Sequence, residues 1–128
     1  MSLKERVYGV LLISASESFN SAMEAFLSES TYAPIRIVSN IAAGKRACAE
    51  RSYDFIIINS PLPDDIGTRF AIDQCSSTSS AVLFMVRAEL YSETYDKLAE
   101  HGVFVLAKPT SRQVITTALA FLASARER

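Results

Sequence analysis

The sequence predicts an α/β protein in three layers, a parallel five-stranded sheet with helices on both faces. Two observations carry that expectation. Short, continuous apolar runs rich in branched residues recur along the chain, and stretches with helical spacing lie between them. Uninterrupted apolar runs suit strands buried on both faces, as parallel strands are. Their alternation with helices implies βαβ units with right-handed crossovers.

Each element has its own signal. Val7–Ile13 (VYGVLLI) reads as the first strand. Glu17–Ser28 follows as a helix, with Phe19, Met23, Phe26 and Leu27 on one face and Ser16 placed to cap it. Ile35–Val38 is a second strand, and Ile41–Arg51 an alanine-rich helix after Ser39 or Asn40. Asp54–Ile58 is the third strand, Ile66–Cys75 a shorter helix, and Ser76–Ser80 a polar connector to the fourth strand at Ala81–Val86. Glu89–His101 carries a weaker helical face of Leu90, Thr94, Lys97 and Leu98, and Gly102 stops it. Val103–Leu106 is the fifth strand. Arg112–Arg126 is amphipathic through Val114, Ile115, Ala118, Leu119, Leu122 and Ala125, with Thr110 or Ser111 as cap.

Five such units fit a doubly wound (βα)5 domain of flavodoxin-like strand order 2-1-3-4-5, covering residues 1–128. Ligands in such sheets sit beyond the carboxyl ends of the strands. Function is therefore sought at Ser14–Glu17, Asn59–Asp65, Arg87–Glu89 and Lys108–Pro109.

Composition narrows the classes. With 49% hydrophobic residues, 21% charged residues and a net charge of −1, bulk electrostatics favour neither nucleic acid nor a membrane surface. The longest apolar runs are too short to cross a bilayer, and no secretory signal is visible. Cys48 and Cys75 lack metal-ligand spacing and read as buried, reduced thiols, which fits the cytoplasm. Met1-Ser2-Leu3 reads as a cloning remnant without a structural role.

The stretch DFIIINSPLPDDIG (Asp54–Gly67) presents Asn59 at a strand end, with Pro63 and Gly67 spaced behind it, while Lys108-Pro109 closes the fifth strand. Gly44 and Ala47 in the second helix and Tyr53-Asp54 before the third strand add to the pattern. Over essentially its whole length the chain resembles the receiver domain of two-component response regulators. The resemblance implies an acceptor aspartate where Asn59 stands and a cation site of paired acids where this chain has Ser14, Ala15 and Ser16. It also implies a Ser or Thr where Arg87 stands, an aromatic where Val105 stands, and a cis Lys108-Pro109 bond.

An asparagine amide is neutral and poorly nucleophilic, and serines supply little charge for magnesium. The expectation is a pseudo-receiver: no catalysis, no metal, no cofactor, and a degenerate pocket of Ser14, Ala15, Ser16, Asn59, Arg87, Lys108 and Pro109. INSPLPDDIG, VRAEL and VLAKP more narrowly resemble the N-terminal domains of ANTAR-type antitermination regulators. That resemblance implies a last helix, uncapped at Ser124–Arg128, that continues into a C-terminal RNA-binding output. RNA would be reached only through that region.

Simpler roles stand beside these. Lys108 is expected to hold the loops by an ion pair or hydrogen bond. Arg87 is expected to pair with Asp64, Asp65 or Glu89, the alternative being that the pocket senses an anionic ligand. Asp64 and Asp65 read as turn formers and caps of the third helix, and His101 as a helix-terminal residue facing the dipole. No glycine-rich phosphate loop follows the first strand. Protein contact, including self-association, is expected on the last helix with the neighbouring fourth helix and fifth strand. Phe121 and Leu122 cannot both centre one buried stripe, so one is left for a partner.

Overall fold

The computed structural model describes residues 6–126. Its elements are β1 (Tyr8–Ile13), α1 (Glu17–Phe26), β2 (Tyr32–Val38), α2 (Ile41–Glu50), β3 (Phe55–Asn59), α3 (Thr68–Ser77), β4 (Ala81–Arg87), α4 (Tyr91–Leu98), β5 (Phe104–Lys108) and α5 (Arg112–Arg126). The strands form one parallel sheet in the order β2-β1-β3-β4-β5. This is the expected architecture. The reading of Met1–Leu3 and the last two residues of the chain lie outside the described residues.

Strand alternation divides the core in two. Leu11, Ile13, Ile56, Ile58, Phe84 and Val105 face Ile41, Ala47, Phe70 and Leu98, so α2, α3 and α4 cover one side. Val10, Leu12, Phe55, Ile57, Leu83 and Met85 face Met23, Leu27, Ile115 and Leu119, so α1 and α5 cover the other. Every residue of β1 and β3 is buried. That explains why these two strands show no polar alternation in the sequence. At Gly44 any Cβ would lie 2.6 Å from the Ile13 Cδ1, so the missing side chain sets how closely α2 approaches β1.

Several boundaries move, each for a local reason. The second strand begins at Tyr32 rather than Ile35, because Tyr32 pairs with Tyr8 across an irregularity in the ladder. Pro34 is accommodated because β2 is an edge strand. α1 ends at Phe26 and α2 at Glu50, since Leu27 and Arg51 are extended. α3 begins at Thr68, not Ile66, because Gly67 sits at φ +100°, a left-handed conformation outside the helix. The fourth helical stretch is three pieces, with 3-10 turns at Ala88–Leu90 and Ala99–His101 flanking α4, and Gly102 at φ +87° ends it. The third, fourth and fifth strands each run further than expected, to Asn59, Arg87 and Lys108. Those extensions matter most, because they fix three pocket residues in the ladder.

The Lys108–Pro109 bond is cis, as are Ala33–Pro34 and Ser60–Pro61. Cys48 and Cys75 are free thiols, half-buried rather than buried, and desolvation raises the pKa of both. Among the described residues no helix is long and apolar enough to cross a membrane.

Candidate functional site: the strand-end pocket

The site is built from the last residues of β1, β3, β4 and β5. Ser14 continues β1, its N–H donating to the Val38 carbonyl at 2.9 Å, and it is almost fully buried. Its hydroxyl oxygen accepts the Asn59 Nδ2 at 3.1 Å and the Ser16 N–H at 3.3 Å. Asn59 closes β3 and is 8% exposed. Its other face accepts the Lys108 Nζ at 2.7 Å, and the same ammonium donates to the Ser60 carbonyl at 2.8 Å. An ammonium can only donate, so it fixes the amide with oxygen toward Lys108 and nitrogen toward Ser14. Lys108 thus ties the β5 end to the β3 end through hydrogen bonds to neutral acceptors. Burial, then the nearby charge of Arg87, lowers its pKa.

Ser16 is spent differently. Its hydroxyl accepts the Phe19 N–H at 3.3 Å, as the N-cap of α1, and Ala15 is exposed without a donor or acceptor in its side chain. The first carboxylate, Glu17, lies exposed in the first turn of α1. These residues do not fit magnesium, which takes several hard, preferably anionic oxygens in near-octahedral array. The amide oxygen of Asn59 is already held by a cation. Among the described residues no three acidic, histidine or cysteine side chains converge on one point.

Two expectations are corrected here. Arg87 makes no ion pair with Asp64, Asp65 or Glu89 among the described residues. It closes β4, exposed, directly opposite Lys108 in the ladder. The acids are engaged elsewhere or directed away. Asp64 caps α2 rather than α3, accepting the Ile41 and Ala42 N–H groups at 2.9 and 3.0 Å, which lowers its carboxyl below the ordinary value. Asp65 accepts the Gly67 N–H at 2.8 Å and so shapes the turn before α3. His101 is exposed beside Glu100 at the far end of α4, outside the pocket.

Beyond the four strand ends lies an open cleft of about 540 Å³, whose lining includes Ser16, Phe19, Asn59, Arg87, Lys108 and Pro109. Met85, Glu89 and Thr110 line it as well. Sequence reasoning did not place Phe19 or Thr110 there. Phe19 reads as a core position from its spacing. Thr110 was one of two candidate caps, and the structure gives that task to Ser111, whose hydroxyl accepts the Val114 N–H at 3.2 Å. The Thr110 hydroxyl is left without a partner among the described residues.

On the neighbouring surface β5 and α5 form an apolar groove of about 620 Å³ lined by Phe104, Leu106, Val114 and Phe121. Phe121 is 63% exposed and Leu122 half-buried, so the choice left open between them falls on Phe121.

No protein-family model matches the chain, and a search of curated proteins gives no match. Solved structures do match. The signal receiver domain of an HD domain-containing protein from Pseudomonas fluorescens Pf-5 superposes with a TM-score of 0.83 at 18% identity, covering 99% of this chain and 93% of that one. That of a signal transduction histidine kinase from Syntrophus aciditrophicus gives 0.79 at 19% identity, covering 95% and 94%. The beryllofluoride-activated NtrC4 receiver domain dimer gives 0.80 at 21% identity, covering 92% and 98%. At such identities the likeness speaks for the backbone. The chain has the fold of response regulator receiver domains.

Proposed function

We propose that the chain is a non-catalytic, receiver-like signalling domain that regulates through protein contacts without aspartyl phosphorylation. A single observation carries this reading. The buried strand-end position that would hold an acceptor carries Asn59, its amide clamped between Ser14 and Lys108. The amide nitrogen has no available lone pair and the oxygen is neutral, so neither gives a stable acyl phosphate. No carboxylate at the end of β1 stands ready to hold the cation that offsets charge in phosphoryl transfer. What remains is a three-layer body with an exposed apolar face on β5 and α5. We assign partner contact or self-association to that face, with α4 beside it. By the resemblance of INSPLPDDIG, VRAEL and VLAKP, the output is an RNA-binding antitermination region C-terminal to α5, in a cytoplasmic regulator.

The test restores the nucleophile alone. Asn59→Asp returns a carboxylate, but Ser14, Ala15 and Ser16 still hold no metal, and Lys108 pairs with the new charge. We expect neither the natural chain nor the variant to gain a phosphoryl group from acetyl phosphate and magnesium, read by intact-mass spectrometry. Saturable, magnesium-dependent labelling of the introduced carboxylate would show that the pocket is still a working receiver site.

A further inference from the structure

The pocket brings two cations together, and among the described residues no carboxylate pairs with either. Arg87 is exposed at the end of β4, with no carboxylate at ion-pair distance among the described residues. Lys108, opposite it in the ladder, gives its two hydrogen bonds to an amide and a peptide carbonyl. Both acceptors are neutral, so the ammonium charge stays uncompensated. The two side chains feel each other, since the Arg87 charge adds to burial in disfavouring protonated Lys108. Thr110 adds a hydroxyl without a protein partner, while Phe19 and Pro109 add an apolar wall. Among the described residues Glu89 is the one carboxylate in the lining, and it pairs with neither cation. A cleft of about 540 Å³ has the size of a small-molecule site.

Like charges placed side by side in a partly buried cleft disfavour each other, and an anion that bridges them removes that cost. The guanidinium fork suits a pair of oxygens on one atom, and the ammonium acts as a point charge beside it. A phosphate monoester carries enough charge and enough oxygens to engage both cations, whereas a carboxylate has one charge to share. Glu89 opposes any anion, and so favours the ligand that returns the most from the two cations.

We propose that this pocket binds, without metal and without covalent chemistry, a small molecule that carries a phosphate monoester. Arg87, Lys108 and the Thr110 hydroxyl hold the phosphate, and Phe19 and Pro109 cover the adjoining apolar part. The inference rests on the pseudo-receiver reading and deepens it. Reversible ligand occupancy takes the place of phosphorylation as the signal that enters the domain.

Phenyl phosphate is the probe, titrated into the whole chain at constant ionic strength in EDTA and followed by amide chemical shifts. Saturable shifts are expected around Arg87, Lys108 and Thr110, with benzoate binding more weakly at the same concentrations. Arg87→Gln removes an exposed charge without touching the core. It is expected to weaken binding by about tenfold or more, as loss of a charged hydrogen-bonding group does. Glu89→Gln is expected to tighten it. Shifts that never saturate, affinity unchanged in Arg87→Gln, or binding that appears only when magnesium is added would each overturn the proposal. The parent reading fails by a separate result, a phosphoryl group gained by the natural chain from acetyl phosphate and magnesium. Absence of phenyl phosphate binding with no such labelling would overturn the ligand site alone.

Discussion

At the scale of single residues, two neutral side chains, Ser14 and Asn59, are linked in the pocket to the Lys108 ammonium. Asn59 matches each neighbour in kind, offering its oxygen to a donor and its nitrogen to an acceptor. Lys108 is the member on which the others depend, since it satisfies both the Asn59 oxygen and the Ser60 carbonyl. Replacing it by methionine keeps the stem but leaves both acceptors to water. Because the site is only half-buried, we expect Lys108→Met to cost about 1–2 kcal/mol in urea unfolding. An unchanged midpoint would mean that Lys108 does not tie the β3 and β5 ends together. Legibility at this scale was uneven. Asn59 and Lys108 stood out in the sequence because Pro63 and Gly67 behind Asn59, and the Lys108-Pro109 pair, carry the receiver resemblance. That Arg87 has no carboxylate partner among the described residues did not, because nearness in sequence to Glu89 and nearness at the strand ends to Asp64 and Asp65 do not say which way a side chain turns.

Among the elements, α2 has the most unusual start. Asn40 caps it from within, its side-chain oxygen accepting the Ala43 N–H at 2.7 Å. Asp64, from the loop after β3, accepts the Ile41 and Ala42 N–H groups. A carboxylate there satisfies orphan donors and meets the positive end of the helix dipole. The same loop joins Asn59, the last residue of β3, to Gly67 before α3, so this cap holds the pocket rim against α2. The amide of Ile41 and then that of Ala42 lower the Asp64 pKa in the folded chain. A carboxyl whose folded pKa is depressed stabilises the fold above its unfolded value, and that contribution is lost as pH falls through the folded value. Asp64→Ala is therefore expected to lower the melting temperature at neutral pH, and the gap to the natural chain should close in acid. A gap of constant size from neutral pH to strong acid would remove the charge from this account. The sequence showed that Asp64 belongs to a turn or cap. It could not show which helix, because the capped amides are 23 and 22 positions away.

For the molecule as a whole, topology brings β5 to one edge of the sheet and lays α5 beside it. Phe104 and Leu106 stay half-buried there, while Val114 and Phe121 face outward at 45% and 63% exposure. Monomeric surfaces rarely leave aromatic and branched residues adjoining in this way, and such patches mark contacts. We expect the chain to self-associate through this face and Phe121→Asp to return it to monomer, measured by light scattering. A natural chain already monomeric, or a variant of unchanged mass, would exclude the face as a self-contact. By itself the sequence determined the element order and the layers, because apolar periodicity and turn residues are local signals. The strand order was expected as the usual doubly wound arrangement, and Asn59 and Lys108 were singled out by the receiver resemblance. Tertiary structure alone decided that Arg87 stands beside Lys108 without an ion pair among the described residues, that Asp64 serves α2, and that Thr110 and Phe19 join the pocket. Those outcomes depend on the side-chain directions that packing selects among residues far apart in the chain, and no local pattern encodes them.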